Sequence, residues 1–223
     1  MTSVRIWDLP TRLFHWLLAG CVLGLVVTGN VGGSWMNWHL RFGYAVLTLL
    51  LFRVVWGFAG GHWSRFGTFL YGPSAFMRYL RGRALPHERA GHNPLGALSV
   101  FGLLVVLAAQ VGTGLVSDDE IAFFGPLVGL VSNATVSTAT WYHKEVGKLL
   151  VLALVVLHLG AIAFYRLFKG ERLVGPMIHG DKHLAGSLPE SRDDTRSRLS
   201  ALVVLLICAG IVYGIVSLGT PGF

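Results

Sequence analysis

The sequence predicts an all-α membrane protein: a four-helix transmembrane bundle with a fifth transmembrane helix appended. Three observations carry this. The 223 residues are 53% hydrophobic and only 13% charged, where soluble domains carry about 25% charged residues, and the mean hydropathy is +0.62. Five stretches approach the ~20 apolar residues that cross a bilayer as a helix. The basic residues, which set a net charge of +7, gather in alternate loops, as membrane topology requires.

The first span covers Leu13–Thr28 and is closed by Gly29, Gly32 and Gly33. Arg5 and Arg12 ahead of an apolar core also fit a cleaved signal peptide, but no small-x-small cleavage site follows. The second span is His39–Phe58. The third, Pro94–Val116, opens with Asn93 as cap and proline at the first helical position. The fourth is His143–Phe168 and the fifth Leu199–Leu218. Residues 1–182 form the main transmembrane domain, residues 183–198 a polar and mobile linker, and residues 199–218 an accessory or partner-docking helix. No internal repeat or low-complexity tract stands out.

Lysine and arginine fix the orientation. They populate the segment before span one, the loop between spans two and three and the loop between spans four and five, and are absent from 29–38, 117–142 and the tail after Leu218. The N-terminus and the linker are therefore expected in the cytoplasm, and the C-terminus outside. Cys21 and Cys208 both lie within apolar runs. Without CxxC or CxxCH, cysteine-held zinc and covalently attached haem are disfavoured.

Nine histidines are present, and His15, His39, His143 and His158 lie within or at the ends of spans, where an ionisable residue is a functional candidate. Given the orientation, His15 falls near the cytoplasmic face, and His39 and His143 near the outer face. His158 lies fifteen residues beyond His143, roughly 22 Å deeper at ~1.5 Å per residue. Depth alone pairs His15 with His158 and His39 with His143. Two imidazoles facing each other from different helices suit a six-coordinate haem iron used for electron transfer. Gly43 and Gly147, one turn after their histidines, give a macrocycle room, or are ordinary small packing positions. Arg41, Lys144 and Lys148 at the outer face and Arg53 towards the inner end of span two either neutralise haem propionates or snorkel to lipid. Zinc is disfavoured by the two separated pairs, and HExxH is absent.

The segments VRIWDLPTRLFHWLL, HLRFGYAVLTLLLFRVVWGF, GHNPLGALSV and HKEVGKLLVLALVVLHLGAIAFY resemble, in order and spacing over residues 4–182, a bacterial family of di-haem membrane cytochromes b. That family includes the cytochrome b561 proteins and the b-type cytochrome subunit of nickel–iron hydrogenases. The resemblance implies two haems b, ligands at His15, His39, His143 and His158, and Arg53 as a propionate partner. It also implies electron transfer in the inner membrane between the quinone pool and a hydrogenase, another dehydrogenase module or a cytochrome c. His92, in GHNPLG, lines a quinone pocket, bonds a propionate or simply orders its loop. Whether such a protein is an electron-transfer subunit or itself a quinone oxidoreductase stays open. The alternatives are a stand-alone superoxide:quinone oxidoreductase and, further off, a transporter whose histidines serve no redox role.

Overall fold

The computed structural model describes residues 2–184 and 186–219. It is an all-α membrane fold with one small sheet. In chain order the elements are β1 (Thr2–Arg5), α1 (Leu9–Val31), α2 (Met36–Ala59), α3 (Pro73–Leu80), α4 (His87–Ala90), α5 (Pro94–Gly114), α6 (Asn133–Trp141), α7 (Lys148–Phe168), α8 (Val174–His179), β2 (Asp181–Leu184) and α9 (Thr195–Ser217). A π-helical turn, Tyr142–Gly147, joins α6 to α7. Among the described residues, five helices are long and apolar enough to cross a membrane, with bounds Leu9–Val31, Gly33–Ala59, Pro94–Gly114, Asn133–Phe168 and Thr195–Ser217. Their large apolar side chains, such as Leu157, Phe168 and Tyr213, are well exposed, which lipid rather than water accommodates.

Two boundaries differ from the sequence expectation. Helix α1 passes through Gly29 and ends only at Val31, where Gly32 takes φ 70° and its amide bonds the Thr28 carbonyl, a left-handed stop that favours glycine. The fourth span begins at Asn133, ten residues before His143. Ser132 caps it by accepting from the Thr135 amide.

The chain divides into two compact units. The first comprises 1–15, 53–102 and 154–204, and the second 16–52, 103–153 and 205–223. In the first, β1 pairs antiparallel with β2, Thr2 opposite Leu184 and Arg5 opposite Asp181. Val4, Ile6, Trp7, Trp63 and Ala90 form a buried core against this ribbon, joined by Met177 and Leu188. Asp8 is fully buried and caps α1 through the Thr11 amide. The same carboxylate accepts from Trp56 Nε1 (3.2 Å), the Gly61 amide (2.9 Å) and Ser64 Oγ (3.0 Å). A buried carboxylate is tolerated only with such a full set of donors.

The segment before α9, expected to be a mobile linker, makes long-range hydrogen bonds in the structure. Ser191 Oγ donates to the Ile6 carbonyl, Trp63 Nε1 donates to the Pro189 carbonyl, and Asp193 accepts from Arg5, Arg198 and the Leu9 amide. Polar composition suggested a solvated strand of chain. It supplies instead the partners that the N-terminal strand and helix need.

Candidate haem-ligand histidine pairs

Each unit holds one pair of facing imidazoles. In the first, the ring centres of His15 and His158 lie 6.3 Å apart with planes inclined by 51°. In the second, those of His39 and His143 lie 6.1 Å apart at 82°. Two imidazoles on opposite sides of one iron, each bonded at about 2 Å, put their ring centres about 6 Å apart. Both pairs have this spacing. Among the described residues no group of three or more His, Cys, Asp or Glu is placed to hold a metal ion. A pair of imidazoles supplies two ligands, so an ion held there takes its other ligands from elsewhere, as iron in a porphyrin does.

The second unit gives the fuller test of fit. Nδ1 of His39 lies 3.1 Å from the Leu25 carbonyl and 3.3 Å from Thr28 Oγ1, and Nδ1 of His143 lies 2.9 Å from the Gln110 carbonyl. A carbonyl only accepts, so each ring carries its proton on Nδ1 and keeps the Nε2 lone pair for a metal. This is the arrangement that orients and fixes metal-ligating histidine.

The two seats are built alike. A Cβ at Gly29 would stand 3.0 Å from His39 Cε1, and one at Gly114 would stand 2.9 Å from His143 Cε1. In each case the accepting carbonyl lies four residues before the glycine. A threonine stands between them, Thr28 and Thr113, its hydroxyl turned back to its own helix. The segments LVVTG (25–29) and QVGTG (110–114) thus repeat one local device, which the sequence reading missed.

A cavity of about 480 Å³ opens beside this pair, within the ~300–1,000 Å³ usual for cofactor sites. Both histidines, Gly29, Gly43, Gly114, Lys144 and Lys148 line it. A Cβ at Gly43 would meet nothing within 4 Å, which leaves space for a macrocycle edge. Gly147 is placed differently. It is buried, and a Cβ there would overlap the Gln110 side chain, with the Tyr142 ring 2.8 Å away. Arg41 is exposed, with its guanidinium 5.0 Å from the centre of the Trp38 ring.

In the first unit Arg53 is almost wholly buried, 2% exposed, with its guanidinium over the Phe66 ring at 4.6 Å. Its Nη1 has no hydrogen-bond partner among the described residues, and neither does His92 Nδ1. Buried donors are seldom left so, and an anionic propionate or a polar ligand would complete them. The His92 ring lies between Trp7 (4.6 Å) and Phe69 (4.4 Å), and its carbonyl accepts from Tyr71 Oη. Burial first, then the positive charge of Arg53, hold the His92 imidazole down to about 3, so it is neutral at physiological pH.

Residues 6–180 match the family model described as prokaryotic cytochrome b561. Similar curated proteins include a probable Ni/Fe-hydrogenase B-type cytochrome subunit of Azotobacter chroococcum, 25% identical over 85% of this chain and 92% of its own length. The probable subunit of the same description in Azotobacter vinelandii is 26% identical over 77% and 91%. The probable Ni/Fe-hydrogenase 1 B-type cytochrome subunit of Escherichia coli K12 is 23% identical over 81% and 91%. No solved structure matches the chain.

Proposed function

The chain belongs to the prokaryotic cytochrome b561 family, and from that premise we propose that it is a di-haem b electron carrier of the bacterial inner membrane. It joins the quinone pool to a redox protein partner, of which a nickel–iron hydrogenase best fits its relatives' names. The observation that carries this reading is the pair of imidazole couples at 6.3 and 6.1 Å.

Haem iron bound by such a couple supplies one-electron chemistry, its potential tuned by axial ligands, hydrogen bonds and burial. His15 and His158 hold one group and His39 and His143 the other. The Leu25 and Gln110 carbonyls keep His39 and His143 in the ligating tautomer. Arg53 Nη1 offers a buried positive charge to a propionate in the first unit, and Lys144 and Lys148 do so at the rim of the cavity in the second. Gly43 leaves the macrocycle its room. His92, neutral and with Nδ1 free to bond, is the group proposed to hydrogen-bond a quinone head.

The orientation follows the basic loops: N-terminus cytoplasmic, C-terminus periplasmic. His39 and His143, next to the loops that lack basic residues, then lie towards the periplasmic side, where a partner can reach them.

Haem quantitation of His143→Ala and His15→Ala tests the pairing. Each variant is expected to keep one haem b per chain, with a different remaining midpoint potential in each. Equal loss from both sites in either variant would contradict the assignment.

A further inference from the structure

The proposed function uses only the backbone carbonyl of Gln110 and leaves its side chain without a role, yet the residue touches His143 at two points. Its backbone carbonyl accepts the Nδ1 proton of His143, and its side-chain Nε2 donates to the His143 carbonyl at 2.9 Å. His143 sits in the π turn Tyr142–Gly147, a distortion that recurs at functional sites and shifts the helical hydrogen bonds. Gln110 Oε1 is buried with no hydrogen-bond partner among the described residues, and the side chain fills the space over Gly147. A leucine would fill that space without burying an unpaired acceptor. The bond to the His143 carbonyl is what the glutamine side chain adds to the backbone seat. His39, by contrast, has the carbonyl and glycine seat but, among the described residues, no such side-chain clamp on its own carbonyl.

Resting on the di-haem reading, we propose that Gln110 is a positioning residue for the haem of the second unit. It holds the backbone at the π turn and the ring proton of His143 together, and so sets that imidazole's plane and basicity at the iron. A firm Nδ1–H bond makes the imidazole a stronger donor, which favours the ferric state and lowers the potential. Gly147 is glycine because the clamp occupies the place of its Cβ. Its spacing from His143 alone would instead suggest clearance for a porphyrin.

The test uses the purified full chain in mild detergent, with haem content, redox titration and electron paramagnetic resonance as readouts. Gln110→Met keeps the length and apolar packing and removes the donor. The expected result is two haems bound, with the haem that His143→Ala removes shifted to a higher midpoint potential and an altered low-spin signal. The other haem is unchanged. Full occupancy with both potentials and both signals as in the unaltered protein overturns the role of Gln110 and leaves the di-haem reading standing. If Gln110→Met does not assemble, Gly147→Ala decides, because its Cβ displaces the amide while Gln110 remains. A shift confined to the same haem supports the clamp, and an unchanged spectrum overturns it. Unaltered protein that binds no haem overturns both readings.

Discussion

At the scale of single residues, the sequence singled out the four span histidines but not the groups that touch them. A histidine in an apolar span has few bland uses, so His15, His39, His143 and His158 stood out from composition and depth. Their orienting partners are backbone carbonyls of Leu25 and Gln110, which every residue possesses and no sequence pattern marks. Gly29 read as a helix stop, because glycine is a common terminator. In the structure it lies inside α1 and clears the ring of His39. A methyl group added there or at Gly114 must push an imidazole aside by a few tenths of an ångström. Gly29→Ala and Gly114→Ala are each expected to shift the spectrum of one haem only, the same one in both, checked by redox-resolved absorption. Arg53 permits a signed expectation. Removing a buried positive charge favours ferric iron, so Arg53→Gln is expected to lower one midpoint potential while the other holds. A loss of about 1.4 kcal/mol corresponds to about 59 mV for a one-electron couple. Asp8 was silent in the sequence, since a lone aspartate before a span looks like an ordinary cap. Its donors come from residues 11, 56, 61 and 64, and only folding assembles them. Asp8→Ala leaves those buried donors unpaired and is expected to cost about 3–5 kcal/mol, read as a lowered midpoint in detergent-solubilised thermal unfolding.

At the scale of elements, hydropathy found every span but misplaced two edges. Asn133–Trp141 is rich in serine, threonine and alanine, so an apolar search stops short of it although Ser132 begins the helix there. The π turn was invisible for the same reason that most such turns are: an i→i+5 pattern leaves no compositional trace. The segment before α9 looked like a tether because its residues are polar. Those polar groups make long-range bonds, which sequence distance conceals. Its centre is Asp193, nearly buried and bonded to Arg5 and Arg198. Burial alone would raise the Asp193 carboxyl, but the Arg198 bond, the Leu9 amide and Arg5 outweigh it and hold the carboxyl below its usual range. A depressed folded value stabilises the native state above the unfolded value of ~3.9, and that stabilisation is lost as pH falls through the folded value. Protection against hydrogen exchange at 2–5 and 181–184, taken relative to the intrinsic rate at each pH, is therefore expected to be high at neutral pH and to fall as pH drops below about 4. Asp193→Asn is expected to bring the lower protection to neutral pH.

At the scale of the whole molecule, the class was plain from composition, since 13% charged residues cannot cover a soluble domain of this length. The arrangement of lysine and arginine argues for one orientation, and a periplasmic reporter fused after Leu218 is expected to be active while one fused at the N-terminus is not. What composition could not supply is the division of the chain into two units, each with its own imidazole couple. The account stands on those couples gripping iron. The direct measurement is the ratio of haem b to polypeptide in protein purified in mild detergent, taken with its low-spin spectrum. The account predicts two six-coordinate haems b per chain, and a ratio of one or zero after haem-replete expression would contradict it.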